Sequence, residues 1–236
     1  MPRRSFVPPR SREYQATSWW RELVAGLALL WRQPVLRLLT GVTAAMNIVW
    51  AAWTALFVVY AIEPGPLGLS TSGYGVLLAA MAVGGLLAGA LVAPLTNRLG
   101  VRVVLMLDLV GTVLLVAPVA AGLAVPAVAC GVVIAGAGAT IWRVLVATIR
   151  HNVVPEHLMG RVYAASRLIS WGVLPLGAGL AGILADAVGI RATLAGAAGL
   201  AVLLVALFPM VTSGAELDRT YTGAEPSSAP IPASRT

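Results

Sequence analysis

Lysine is absent from this 236-residue chain, so all sixteen basic side chains are arginines. GC-rich coding explains that bias more simply than a functional demand for guanidinium groups. Charge of either sign is scarce. Asp, Glu, Lys and Arg together make up 11% of the residues, against roughly 25% in ordinary soluble domains. With 59% hydrophobic residues and a mean hydropathy of +0.89, a water-soluble fold of this size could not hide its apolar surface. Lipid is therefore the expected solvent. The single cysteine, Cys130, excludes a disulfide framework and a thiolate metal site. Its place inside an apolar run predicts a small core residue. His151 and His157, six residues apart around Pro155-Glu156, do not fit a helical i, i+4 metal pair and read as solvated loop residues. P-loop, nucleophile-elbow and zinc signatures are lacking, and Gly136-Ala137-Gly138 follows no strand, as a dinucleotide fingerprint would. No metal or cofactor is expected, and nothing argues for an enzyme.

What the chain does have is six apolar runs, approximately 36–62, 73–96, 103–121, 126–149, 162–187 and 192–211. Each is near the roughly 20 residues needed to cross about 30 Å of hydrocarbon. The expected fold is all-α and polytopic, with a six-helix transmembrane domain over 36–212. Residues 1–18 hold four arginines and three prolines with no apolar signal segment, which predicts a basic, disordered N-terminus. Residues 19–35 combine Trp19, Trp20 and Trp31 with Arg21, Glu22 and Arg32, too charged to span but suited to an interfacial amphipathic helix. From 213 to 236 the chain is polar and Pro/Ser-rich, which predicts a disordered tail.

A net charge of +7 raises the possibility of nucleic-acid binding, but the placement of the arginines argues otherwise. Seven lie between Arg3 and Arg37, Arg98 and Arg102 join the second and third runs, Arg150 and Arg161 join the fourth and fifth, and Arg219 and Arg235 lie in the tail. The opposite side has only Arg191. This is the positive-inside pattern, with both termini cytoplasmic in the cell membrane and no nucleic-acid partner.

Two stretches share one grammar. In 89–105 an apolar run stops at Asn97-Arg98, turns at Gly100 and resumes after Arg102; in 179–194, Asp186, Gly189 and Arg191 follow in the same order, each offset by 89 residues from its counterpart. The first copy is expected on the cytoplasmic side and the second on the outer side. Three-span units displaced by three crossings are inverted, so a 3+3 inverted repeat is expected. The alternative is chance likeness between small-residue membrane segments, which resemble one another for packing reasons. Gly85 and Gly89, Gly177 with Ala181 and Ala185, and 135–140 (AGAGAT) predict close helix contacts.

Three ionisable residues lie inside the runs. Asp108, Arg143 and Arg167 are each six or seven residues from a cytoplasmic arginine, hence roughly 9–10 Å deep at 1.5 Å per residue. A charge mid-span costs about 2.5–3.5 kcal/mol on insertion scales, so mutual pairing or a wet cavity is expected. The plainer alternative is that the arginines snorkel while Asp108 neutralises one of them. Thr140 and Arg143 share a helical face with Gly136, and Asn47 is the deepest strong polar group of the first run; Thr140, Arg143 and Asn47 are all pathway candidates, with structural hydrogen bonding the commoner outcome for Asn47. Asp108 is the candidate for proton coupling.

Residues 93–104, APLTNRLGVRVV, resemble the G-x-x-x-D-R-x-G-R-R cytoplasmic loop of major facilitator superfamily transporters. Arg98, Gly100 and Arg102 match; Ala93, Asn97 and Val101 depart. Residues 153–162, VVPEHLMGRV, are similar to the V-P-x-x-x-R-G-R-V loop of the efflux branch that includes siderophore and macrolide exporters, with Pro155, Gly160 and Arg161 matching and Met159 departing. The resemblance covers about 19–211 and is to the C-terminal six-helix half of a twelve-helix bundle. It implies export of an amphipathic small molecule by rocking of two bundles, with a second half or a homodimer as partner. The departure at Asn97 removes the aspartate of that loop's usual charged latch. A reading from another class is a truncated remnant or a non-transporting membrane protein that binds a partner.

Overall fold

The apolar runs form helices, and the breaks fall where the sequence supplies a proline, a hydroxyl cap or a glycine. The computed structural model describes residues 19–223. These form α1 (Trp19–Arg32), α2 (Pro34–Ala61), α3 (Thr71–Leu99), α4 (Val101–Ala120), α5 (Val125–Val153), a 3-10 turn at Glu156–Leu158, α6 (Met159–Val188), α7 (Ile190–Val211) and α8 (Gly214–Thr222). Pro34 opens α2, where a missing N–H removes nothing the helix would use. The Ser70 hydroxyl accepts from the Gly73 N–H at 3.1 Å and caps α3. Helices α2 to α7 are long and apolar enough to cross a membrane, and the chain is a multi-pass helical membrane protein.

The echo of 89 residues is visible in the backbone. Gly100 (φ 80°, ψ 156°) and Gly189 (φ 89°, ψ 156°) each end one helix and start the next. Both donate to the carbonyl four residues back at 2.9 Å, Thr96 and Ala185 respectively. This region of backbone space is essentially restricted to glycine. Displaced by 89 residues, Leu99 falls on Val188, where α6 ends, and Val101 on Ile190, where α7 begins. The tertiary contacts follow the same exchange: α3 packs most extensively on α5, and α6 on α2.

The exchange also relates two hydrogen bonds. Arg102, in the first turn of α4, donates to the Pro209 carbonyl near the end of α7 at 2.7 Å. Arg191, in the first turn of α7, donates to the Ala120 carbonyl at the end of α4 at 3.2 Å. Donor and acceptor in the second bond each lie 89 residues from a partner in the first. Each guanidinium meets carbonyls that a helix C-terminus leaves unpaired, where the helix dipole favours positive charge. Arg191, the one arginine on its side of the chain's charge pattern, is thus half of a reciprocal brace between α4 and α7.

Glycines allow the close approaches. A Cβ at Gly84 would collide with the Val133 carbonyl and one at Gly136 with the Met81 carbonyl, so α3 and α5 touch backbone to backbone. At Gly177 the Cβ of Ala51 would stand 3.1 Å away, across the α6–α2 contact. Such contacts supply the dispersion energy that drives helix association where no hydrophobic force acts between helices. Among the described residues three apolar clusters result, one around Trp53, Phe57, Leu115 and Val132, one around Leu39, Leu105, Leu145 and Phe208, and a small one of Leu30, Leu36, Val154 and Val162. Trp53 and Phe57 stack with centroids 4.3 Å apart.

Two expectations need correction. The tail was expected to be disordered from residue 213, but α8 folds back onto α4 and α5. Leu217 is buried, and its carboxylate neighbour Asp218 accepts from the Val101 N–H at 2.9 Å. Leu217 and Tyr221 lie one turn apart and give this short segment an apolar face. Cys130 is exposed rather than a core residue. The proposed disordered segment 1–18, and the tail beyond residue 223, lie outside the described residues. The helix anticipated over 19–35 is α1, which packs along α6, with Gly26 against the Arg161 carbonyl.

Candidate functional site

A cavity of about 1020 Å³ opens between α2, α3, α5 and α6, with Asp108 of α4 at its back. Drug-sized ligands occupy pockets of about 300–1,000 Å³, mainly apolar with a few placed polar groups. This cavity has that character. Asn47, Thr140, Arg143 and Asp108 line it together with Trp50, Trp142 and Trp171.

The polar groups are held by specific bonds. Asn47 Nδ2 donates to the Ser170 carbonyl, which links α2 to α6 and leaves the Asn47 carbonyl oxygen available. Trp142 Nε1 donates to Thr43 Oγ1 at 3.0 Å, and Trp50 Nε1 to Thr112 Oγ1 at 3.4 Å. Both indoles therefore present apolar faces while their N–H groups are satisfied. The Thr140 hydroxyl donates to the Gly136 carbonyl at 3.2 Å and touches Gly85 across the α3–α5 contact.

Asp108 and Arg143 differ sharply in exposure. Asp108 is 1% exposed, and neither carboxylate oxygen has a hydrogen-bond partner among the described residues. A Cβ at Gly138 would stand 2.8 Å from the Asp108 Cα, so only glycine lets α5 pass this close to the aspartate. Burying an ionised carboxylate without hydrogen bonds is far costlier than burying a paired one. Its charge has to be balanced by Arg143, which lies within electrostatic reach, or by a proton. Arg143 is exposed, and its Nε donates to the Ala139 carbonyl at 3.2 Å.

Arg167 does not line this cavity. It was expected to share a charge cluster with Asp108, but its guanidinium lies 4.2 Å over the Trp171 ring and donates to the Tyr163 hydroxyl at 3.2 Å. Arg150, on the face of α5 that continues from Arg143, lies 5.5 Å over the Tyr163 ring.

The loop residues fall into two groups. Gly100 and Arg102 form the turn and brace described above, as do Gly189 and Arg191, whereas Asn97, Arg98 and Asp186 are exposed on the last turns of α3 and α6. Pro155 precedes the 3-10 turn, Gly160 has open space where a Cβ would be, and Arg161 is half-buried. None of these loop residues reaches the cavity. Among the described residues no group of three or more His, Cys, Asp or Glu side chains could hold a metal ion.

Sequence reasoning missed the three tryptophans. Their signal was position: tryptophan favours the membrane–water interface, and Trp50, Trp142 and Trp171 each lie well inside a spanning helix. Comparison with protein-family models, curated proteins and solved structures finds no match to this chain.

Proposed function

We propose that this chain is one six-helix half of a major-facilitator-type secondary transporter, exporting an amphipathic small molecule from the cell membrane by alternating access. The reading rests chiefly on one observation: a large, mainly apolar cavity at the middle of the bundle, with a buried carboxylate that lacks hydrogen bonds beside an exposed arginine. Ionisable residues within spanning helices are expensive and mark ion or substrate paths more often than they serve packing alone. Asp108 is the candidate coupling group, since loading and releasing a proton would change the charge beside Arg143. Arg143, Thr140 and Asn47 are candidates for solute contact. The arginine distribution supports a cytoplasmic position for both termini.

Rocking needs a second bundle for the cavity to close against. A second copy of this chain or a separate six-helix half would supply it. The exposed faces of α3 and α6 suit that contact, because Gly75, Gly172 and Gly179 there have open space beside them. The test is efflux of a panel of fluorescent amphipathic compounds from cells expressing the chain, with and without a protonophore. Lower accumulation than in empty-vector cells, abolished by the protonophore and by Asp108→Asn, is expected. Accumulation equal to empty vector for every compound, with the protein present in the membrane, would refute transport by this chain and favour the remnant or partner-binding reading.

A further inference from the structure

Three arginines, Arg143, Arg150 and Arg167, stand on α5 and α6 in and beside the cavity. Arg143 and Arg150 are seven residues apart on α5, so they share a helix face. On α6, Tyr163, Arg167 and Trp171 follow at intervals of four and share another. The contacts join the two faces into one series. Arg150 lies over Tyr163 at 5.5 Å, Arg167 bonds the Tyr163 hydroxyl and covers Trp171, and Trp171 lines the cavity opposite the α5 wall that carries Arg143. The one carboxylate of the lining, Asp108, is buried, whereas Arg143 is exposed. With Nε tied to Ala139, the two terminal nitrogens of Arg143 have no hydrogen-bond partner among the described residues. Those nitrogens are the pair with which a guanidinium grips an oxyanion in bidentate fashion.

We infer that the cavity takes an amphipathic organic anion, a flat apolar body against Trp50 and Trp171 with its carboxylate, sulfonate or phosphate on Arg143. This deepens the proposed function and rests on its reading of the cavity as the solute site. The flat body follows from two indoles in the lining: Trp50, whose N–H is engaged by Thr112, and Trp171, whose ring carries Arg167 over one face and keeps the other for the ligand. The acid group follows from the exposed guanidinium, since a charge-assisted bond is about twice as strong as a neutral one. Arg150 and Arg167 would draw the anion towards the cavity from the end of the bundle that carries Gly100.

The test uses the full chain in nanodiscs of phosphatidylcholine, with binding read as energy transfer from tryptophan to pyrene. The matched probes are 1-pyrenebutyrate, its methyl ester and 4-(1-pyrenyl)butyltrimethylammonium. The butyrate is expected to bind saturably and at least tenfold more tightly than the ester or the ammonium. Arg143→Gln should remove that preference, and Arg143→Lys should restore most of it, which separates lost charge from lost folding. Equal or tighter binding of the ammonium, or a Gln variant that keeps the preference, would overturn the anion assignment while leaving the cavity a solute site. Saturable binding of none of the three would overturn the cavity reading itself. Repeating the titration with phosphatidylglycerol in the discs identifies the source of the acid group. Unchanged affinity assigns a water-borne anion, and loss of the butyrate site assigns a lipid headgroup to the same guanidinium.

Discussion

The two glycine turns share a backbone and differ in what holds them. Gly100 and Gly189 have nearly the same φ and ψ, the same helix-ending bond, and an arginine two residues later that braces α4 to α7. Around Gly189 nothing lies within 4 Å of a Cβ position. Beside Gly100 stands the Asp218 carboxylate, 3.5 Å from that position, which accepts from the Val101 N–H and so caps α4. Asn152 Nδ2 donates to the Tyr221 carbonyl at 2.6 Å and ties α8 to α5 as well. The repeat thus builds a symmetric frame, and α8 fastens one end of it only. Asn97 brings no charge to this turn, and a carboxylate reaches it from α8.

That contrast can be broken at several points. The largest effect is expected at the glycines themselves. Gly100→Ala and Gly189→Ala should each destabilise by about 1–3 kcal/mol, because alanine rarely adopts this backbone region. Thermal unfolding in detergent should show the two losses to be similar; a free substitution at Gly189 would mean that its turn is not the counterpart of Gly100. Next comes the cap. Asp218→Ala should cost about 1 kcal/mol, in line with the loss of a helix N-cap. Limited proteolysis should then cut within α8 while the Gly189 turn stays as resistant as before. The braces come last. Arg102→Ala and Arg191→Ala should each cost about 0.3–1 kcal/mol as lost helix-end interactions. Arg102 should lie at the upper end, being half-buried where Arg191 is exposed. A double-mutant cycle between Arg102 and Asp218 should show coupling, whereas one between Arg191 and Asp218 should show none.

The spans were legible in the sequence because each run is long, apolar and bounded by charge or glycine. The turn echo was legible because only glycine suits that backbone, so the residue type reports the conformation. What the two arginines of the echo do was not legible, since each acceptor lies on another helix, more than 70 residues away. The same limit hid Asp218, whose partner Val101 is 117 residues distant. Composition misled at α8: a polar, Pro/Ser-rich tail outweighed the small apolar face of Leu217 and Tyr221. At the site, Asp108, Arg143, Thr140 and Asn47 stood out as polar groups in apolar runs, and they do line one cavity. Arg167 has the same depth but a different helix face. There Tyr163 and Trp171 lie one turn away on either side and claim its guanidinium. Trp50, Trp142 and Trp171 stood out only by lying deep in a span, a position that Trp53 of the packed core shares, so depth alone did not separate cavity wall from core.

The inverted relation of the two halves is tested most directly by labelling from the two sides of the membrane. With Cys130 replaced by alanine, Asn97→Cys and Asp186→Cys each place one thiol on an exposed helix end beside a glycine turn. A membrane-impermeant maleimide should reach Asp186→Cys in intact cells and Asn97→Cys only in inside-out vesicles. Labelling of both positions from the same side would contradict the inverted repeat and the alternating-access reading built on it.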